Sequence, residues 1–177
     1  YAIDLVDQIV SLNKGVYLDP DLRNTTATEF CIGVAGYPEK HFEAPNPDND
    51  LRWLKKKVEH GAEYIITQMF FDNTRYFEFV DRCRAEGINI PIIPGIKPLT
   101  TSSQLQILPQ VFHVDLPEAL VESVEAAKTR EQVKKAGMDW CTEQAAELLE
   151  KGAPTLHFYT MGKAHPTAEI ARRVFGS

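Results

Sequence analysis

The sequence predicts an α/β protein in which parallel strands alternate with helices. Short continuous apolar runs, typical of strands that are buried on both faces, recur along the chain. Segments with apolar residues every three or four positions lie between these runs and indicate amphipathic helices. The predicted order is one helix followed by four strand–helix units, and such alternation implies a parallel sheet with right-handed crossovers. The 177 residues suit a single domain, which we assign to residues 1–177.

The first two helices and the first strand are predicted from periodicity and end signals. Apolar residues at helical spacing predict a helix over residues 1–12, and the polar stretch after it predicts a loop. The apolar run over residues 30–36 predicts the first strand, which a Gly-Tyr-Pro turn ends. The next helix is predicted between candidate caps at Asp48–Asp50 and a stop at Gly61.

Three further apolar runs predict the remaining strands, over residues 64–70, 91–94 and 155–160. An Asp-Asn pair supplies the cap of the helix after the second strand, and this helix ends at Gly87. A long helical region over residues 104–151 separates the third strand from the fourth, and a short helix follows the fourth. Breaks in the long region are predicted near Pro109, Pro117 and Gly137.

Two architectures fit four strand–helix units. The units form either half of a (β/α)₈ barrel, whose usual size is about 250 residues, or an open doubly wound sheet. The sequence contains neither a GxGxxG string nor a phosphate-binding P-loop, so no nucleotide motif decides between them. The pattern of strands and helices by itself leaves both architectures open.

Composition and charge narrow the class of protein. The net charge of −6 at pH 7 argues against a nucleic-acid or anionic-membrane partner. The sequence has no run of about 18 apolar residues and no signal peptide, so we expect a cytoplasmic protein without a membrane span. Cys31, Cys83 and Cys141 are far apart in apolar segments, which indicates free buried thiols in a reducing compartment. The chain begins inside a predicted helix without a Met, which indicates a truncated start.

Candidate binding residues follow the predicted strands, because the carboxyl ends of parallel strands carry the functional loops of such folds. They are aromatic residues, amides and scattered cations, without a Ser/His/Asp set, a metal cluster or paired carboxylates. This composition suits a flat ligand with a polar edge better than it suits hydrolysis. Gln68 is the most unusual candidate, since an amide in an apolar strand costs desolvation unless it is paired.

Each candidate also has a purely structural interpretation. The Gln68 amide can pair with neighbouring backbone. His41 is consistent with a surface histidine. Tyr159 is consistent with a core residue, and it shares its strand face with His157. The run Lys55–Lys57 typically forms a solvated helix face, and a phosphate contact is the alternative.

Four strings together resemble the methylenetetrahydrofolate reductase family closely. They are GYPEKHFEA, QMFFD, YFEFVDRCRAEGINIPIIPGIKP and HFYTMGK, in family order across nearly all of the chain. The resemblance implies a (β/α)₈ barrel of which this chain covers roughly the last four βα units. It also implies FAD as cofactor, with a hydride passed from NADH or NADPH to the flavin and then to 5,10-methylenetetrahydrofolate, giving 5-methyltetrahydrofolate. The two substrates would use one flavin face in turn, by ping-pong kinetics.

The resemblance implies two groups of site residues. The residues implied to contact FAD are Tyr1, Ala2, Tyr37, His41, Ala44, Asp50, Trp53, Lys56 and Lys57. The residues implied to contact the substrate are Gln68, Gln104, Tyr159 and Lys163. Gln68 matches the amide that binds the pterin, whose edge offers donors and acceptors together. Lys163 replaces an Arg of bacterial relatives and suits an anionic glutamate tail, and Leu108 stands where some relatives have a stacking Phe. The charges of Lys56 and Lys57 suit a pyrophosphate.

No catalytic residue is expected within this chain. The family's general acid is a Glu on the first barrel strand, and a second carboxylate lies in an Arg-Gly-Asp string on the fourth strand. Both segments are expected upstream of Tyr1. Two functions therefore stay open: part of a methylenetetrahydrofolate reductase, or a non-catalytic half-barrel module that needs the N-terminal half. We expect the isolated chain to be inactive and the protein to be a homo-oligomer, and the sequence does not distinguish NADH from NADPH.

Overall fold

The computed structural model describes residues 1–176 and contains alternating helices and strands. The helices are α1 (Ala2–Asn13), α2 (Pro47–Glu59), α3 (Asn73–Ala85), α4 (Gln104–Phe112), α5 (Glu118–Glu125), α6 (Arg130–Glu150) and α7 (Ala164–Phe175). The strands are β1 (Gly33–Gly36), β2 (Tyr64–Thr67), β3 (Ile92–Ile93), β4 (Gly95–Ile96) and β5 (His157–Phe158). A mixed α/β protein results, as the sequence predicts.

All of the paired strands run parallel, which confirms the predicted pairing. The order in one sheet is β1-β2-β3, and β4 pairs with β5 in a second sheet. Only Pro94 separates β3 from β4, so the third strand continues two residues past its predicted end at residue 94. Its first part, β3, pairs with β2, and its second part, β4, pairs with β5. Proline has no N–H to donate to a ladder. Its carbonyl still accepts from His157 N at 3.0 Å, which links the two sheets.

The strands are shorter than the apolar runs that predict them. The first predicted strand starts at residue 30, whereas β1 starts at Gly33. The difference has a physical cause at Phe30, whose N–H and carbonyl both bond to the side chain of Asn13, at 2.9 Å each. The end of α1 thus holds this backbone in place of a neighbouring strand.

The helix ends differ from the predictions at three positions. Asn46 is the cap of α2, since its side chain accepts from Asn49 N at 2.8 Å and Pro47 occupies the first turn. Pro109 lies inside α4 and Gly137 inside α6, so neither of them breaks a helix. The predicted break at Pro117 is confirmed, because this residue precedes α5.

Gly137 is needed for close packing. A Cβ at this position would lie 1.9 Å from the carbonyl oxygen of Leu99, so only glycine lets α6 approach that backbone. Glycine has a low helix propensity, and the close packing of α6 against Leu99 offsets this cost.

One face of the sheet is packed against helices and the other is open. The packed face carries Ile65, Ile92 and Ile96, which are at most 2% exposed and join the main hydrophobic cluster with residues of α2, α3, α6 and α7. Burial of each such side chain contributes about 1.5–3 kcal/mol. Alternation along β1 turns Gly33 and Ala35 to the other side, where they are exposed. We call this side the open face.

The prediction of three buried thiols is wrong at Cys31. Cys83 and Cys141 are buried, as predicted, but Cys31 is exposed. Cys31 precedes β1, and only its neighbour Ile32 is buried there.

Candidate functional site

The carboxyl ends of the strands meet at one edge, where the predicted site residues begin to converge. The hydroxyl of Tyr159, after β5, donates to the carbonyl of Thr67, at the end of β2, over 2.9 Å. The Thr67 hydroxyl in turn accepts from Gly95 N at 2.9 Å. These bonds tie the ends of three strands together, and Tyr159 contributes its ring rather than a free hydroxyl. Burial, and then Tyr37, raise the pKa of Tyr159.

A cavity of about 310 Å³ opens beside Tyr159, between the segments that follow β4 and β5. We call it the rim cavity. Three of the four predicted substrate residues line it, namely Gln104, Tyr159 and Lys163. Its other lining residues are Lys97, Pro98, Thr100, Thr101, Ser103, Ile107, Leu108, Phe112, Thr160, Met161, Pro166 and Thr167. The structure therefore brings together most of the residues that the resemblance implies for the substrate.

Gln104 is held in position at the start of α4. Its Oε1 accepts from the backbone N–H groups of Thr100, at 2.6 Å, and Thr101, at 3.1 Å. The amide NH₂ group is the part of the side chain that stays available for a ligand.

Lys97 lies in the same cavity; it was a candidate because it follows the third strand, but the resemblance did not place it among the substrate residues. It is 7% exposed, and burial, followed by repulsion from Lys163, lowers the pKa of its ammonium group. A charged residue directly after the apolar string IIPGI was the available signal, because lysine is rarely buried without a partner.

Gln68 lies apart from the rim cavity. Its Oε1 accepts from Met69 N at 3.0 Å, which is the backbone pairing offered as its structural interpretation. It lines a narrow pocket with Tyr37, Glu39 and His113. Glu39 Oε2 accepts from Asp115 N at 3.0 Å, while burial raises the pKa of this carboxyl to about 7. An acid that titrates near neutral pH thus lies at the same edge as Gln68.

Four of the residues predicted to bind FAD form one group, around the loop from β1 to α2. Asp50 Oδ2 accepts from His41 N at 2.9 Å, and the His41 ring meets the Tyr37 ring edge-on at 4.6 Å. Lys57 Nζ donates to the carbonyl of Ala35 at 3.1 Å. Burial lowers the pKa of Lys57, and Asp50 opposes that shift. Burial, and then Asp50, raise the pKa of Tyr37.

The other predicted FAD residues are less closely associated. Ala44 belongs to the same loop, where its N–H donates to the His41 carbonyl at 3.0 Å. Trp53 is 49% exposed on α2, and Lys56 Nζ lies over its ring at 4.4 Å. Tyr1 and Ala2 are exposed at the start of α1. Within residues 1–176, no hydrogen bond or ring contact joins Tyr1 or Ala2 to the group around Asp50.

A second cavity, of about 420 Å³, lies between the start of α3 and the middle of α6. Its polar residues bond to the protein itself: Gln144 Nε2 donates to Phe70 O at 3.0 Å, and Trp140 Nε1 donates to Phe71 O at 3.0 Å. These contacts fix α6 to the end of β2. Within residues 1–176 no three His, Cys, Asp or Glu side chains are arranged to hold a metal ion.

None of the helices within residues 1–176 combines the length and the apolar character that crossing a membrane requires.

The fold is that of an α/β protein with a cavity, lined by polar and cationic side chains, at the carboxyl ends of its parallel strands, where such folds usually place their sites. The sequence profile of the methylenetetrahydrofolate reductase family matches residues 1–174. The chain belongs to this family.

Individual relatives agree with the family profile. Methylenetetrahydrofolate reductase 1 of Schizosaccharomyces pombe is 37% identical over 82% of this chain and 24% of the relative. Methylenetetrahydrofolate reductase 2 of Saccharomyces cerevisiae is 37% identical over 98% of this chain and 28% of the relative. The chain thus spans about a quarter of the length of these relatives.

A solved structure shares the fold. It is an uncharacterized protein from Clostridium thermocellum that binds two copies of 5-methyl-5,6,7,8-tetrahydrofolic acid. The TM-score is 0.53 at 19% identity, over 81% of this chain and 52% of that chain. At this identity the likeness concerns the fold alone.

Proposed function

We propose that this chain forms part of an enzyme that reduces 5,10-methylenetetrahydrofolate to 5-methyltetrahydrofolate with NADH or NADPH. The observation that carries the proposal is the rim cavity, since it gathers Gln104, Tyr159 and Lys163 from three separate segments. A flat ligand with polar edges and an anionic tail suits an amide donor, an aromatic ring and an ammonium group. Family membership supports the same reaction.

The architecture we propose is a (β/α)₈ barrel of which this chain supplies four consecutive units. The parallel strands follow one another in chain order, and Pro94 lets the third strand pair on both sides. The open face, with Gly33 and Ala35 exposed on β1, would be the interior of such a barrel.

FAD fits the chemistry of the group around Asp50, and we propose it as the cofactor. The Lys57 ammonium suits a pyrophosphate, and Asp50 has one carboxylate oxygen beyond its bond to His41 N with which to accept from a ribose hydroxyl. Bound there, FAD would supply the acceptor and donor of the hydride. The Tyr37 and His41 rings, in edge-on contact at 4.6 Å, would form one wall for the cofactor.

This chain's own residues position ligands rather than supply the acid. The bonds of Gln104 and Tyr159 to backbone fix their orientation before a ligand enters, which lowers the entropy cost of binding. The general acid is proposed to lie on another segment. Burial raises the pKa of the Glu39 carboxyl to about 7, and this group is engaged with Asp115 N.

A non-catalytic module is the second candidate function, and the open face favours it. A half barrel would bind ligands only when another segment covers this face. The two candidates are separated by purifying the chain with and without a second chain that carries the first half of a reductase barrel. We expect a flavin absorbance band and NAD(P)H-dependent 5-methyltetrahydrofolate formation in the mixture. Folate binding without flavin or turnover would favour the module, and a mixture that binds neither ligand contradicts both.

A further inference from the structure

Lys97 is a buried cation at the wall of the rim cavity. It is 7% exposed, and among residues 1–176 its ammonium group has no hydrogen-bond acceptor and no ion-pair partner. The side chain lines the rim cavity, whose lining contains no Asp or Glu. A buried ammonium group carries a large desolvation cost unless a counter-charge offsets it. The desolvated ammonium group lies at the wall of a cavity that is large enough for part of a ligand.

A second cation lies across the same cavity. Lys163 also lines it and is close enough to Lys97 for their repulsion to be felt. The hydroxyls of Thr100, Thr101 and Ser103 lie nearby, together with the amide of Gln104. Two cations and several donors without a carboxylate form a favourable environment for an anion, because one bound anion relieves both ammonium groups.

We propose that Lys97 and Lys163 together bind a carboxylate or phosphate group of the ligand that enters the rim cavity. Because of Lys97, a ligand that carries this anionic group binds more tightly than one that lacks it. The inference rests on the proposed function for the identity of the ligand. The group would be a glutamyl carboxylate of the folate or a phosphate of the nicotinamide dinucleotide.

The surroundings of Lys97 give this site a characteristic pH dependence. Its lowered pKa means that the ammonium group loses its proton at a lower pH than an exposed lysine does. Only the protonated form attracts an anion, so the affinity falls as the pH rises through that pKa. The facing groups are Lys163 directly before α7, Tyr159 after β5 and Cys141 on α6, whose thiol pKa is raised to about 12 by burial. Cys141 therefore stays neutral over the range in question.

The test compares Lys97→Met, Lys97→Arg and the exposed control Lys128→Met by calorimetry, each in the mixture with a second chain that carries the first half of a reductase barrel. The probes are 5-methyltetrahydrofolate, its uncharged tail-less analogue 5-methyltetrahydropteroamide, NADH and NADPH. Loss of a charge-assisted bond is expected to weaken the anionic probe that uses Lys97 by about tenfold or more. Lys97→Arg should keep the affinity and move its loss to a higher pH, because a guanidinium stays charged. A tenfold effect on 5-methyltetrahydrofolate alone identifies the glutamyl carboxylate, and an effect on NADH and NADPH identifies the phosphate.

Equal weakening of the tail-less and complete folates would overturn the inference, since Lys97 would then only shape the cavity. So would unchanged affinities in Lys97→Met. If that variant does not fold, NMR of [¹³Cε]lysine-labelled protein, with Lys97→Arg to identify the signal, gives the pKa of Lys97 directly. Inorganic phosphate should raise that pKa, and a pKa that phosphate leaves unchanged contradicts the inference. Because this last measurement needs no folate or nicotinamide, it stands even when the proposed function fails.

Discussion

Gln68 has both a structural contact to the backbone and a predicted role in binding the pterin. Its amide lies between Thr67 and Met69, which are buried, and its Oε1 is engaged with Met69 N at 3.0 Å. The amide NH₂ group has no acceptor within residues 1–176. A side chain with one half fixed and the other half free is well suited to donate to a ligand, and this leaves the proposed pterin contact open.

Gln68→Ala is expected to slow folate turnover more than flavin reduction in a competent reductase that contains these residues. Loss of a neutral hydrogen bond should cost about 0.5–1.5 kcal/mol, and more if the partner stays buried and unpaired. Stopped-flow rates of the two half-reactions, with Gln106→Ala on the exposed side of α4 as control, provide the measurement. Equal slowing of both half-reactions would show that the Met69 contact, and hence local structure, is what the substitution removes.

His41→Ala and Lys57→Ala are expected to weaken FAD binding without unfolding the protein. Both residues lie at the loop after β1 or on α2, and neither enters the main hydrophobic cluster. Lys55→Ala is a matched control, because Lys55 belongs to the same lysine run but pairs with Glu86 at 3.6 Å. The measurements are FAD release on dilution and a thermal melt with excess FAD. A lower melting temperature with unaltered FAD affinity would make these residues structural.

At the scale of the elements, α6 depends on one glycine. Gly137 lies in the interior of this helix, against the carbonyl of Leu99. Helix propensity alone favours alanine there by about 1 kcal/mol. Packing opposes it, since an added Cβ would have to displace backbone rather than the end of a flexible side chain.

Gly137→Ala is therefore expected to destabilise the protein, by about 1–3 kcal/mol, as overpacked cores do. Urea denaturation followed by circular dichroism gives the difference in the free energy of unfolding. Ala146→Gly, on the exposed side of α6, is the control that reports propensity without a close contact, and it should cost about 1 kcal/mol. A Gly137→Ala variant more stable than the parent would mean that the helix can move away from Leu99.

Some features of the helices and strands can be predicted from the sequence, and others cannot. Apolar runs and helical spacing locate the parallel strands and the helices between them, because both depend on local periodicity. Close contacts between distant segments are not local, so the role of Gly137 and the division of the third strand at Pro94 were not predicted. The exposure of Cys31 and the burial of Lys97 depend on which distant segments pack nearby. The apolar string before Lys97 gave a local signal of burial, whereas Cys31 had no comparable signal of exposure.

At the scale of the whole molecule, one face of the sheet is covered and the other is open. We expect the 177-residue chain alone to form no 5-methyltetrahydrofolate, to bind FAD weakly and to self-associate, because unpaired strand edges and an open face favour pairing with other chains. General acid catalysis is typically worth about 10²–10⁴-fold, and this chain is proposed to lack the acid. Product formation assays and size-exclusion chromatography measure these properties. Robust turnover by a monomer would mean that a carboxyl group of this chain, such as Glu39, supplies the proton.

The position of Cys31 makes this residue suitable for attaching a fluorescent label. Burial raises the thiol pKa of Cys83 to about 11 and that of Cys141 to about 12, so neither reacts readily at neutral pH. Cys31 is exposed, two residues before β1. A maleimide fluorophore should consequently attach at this single position, without any engineered mutation. Its emission would then report directly, in real time, when another segment of protein comes to cover the start of β1.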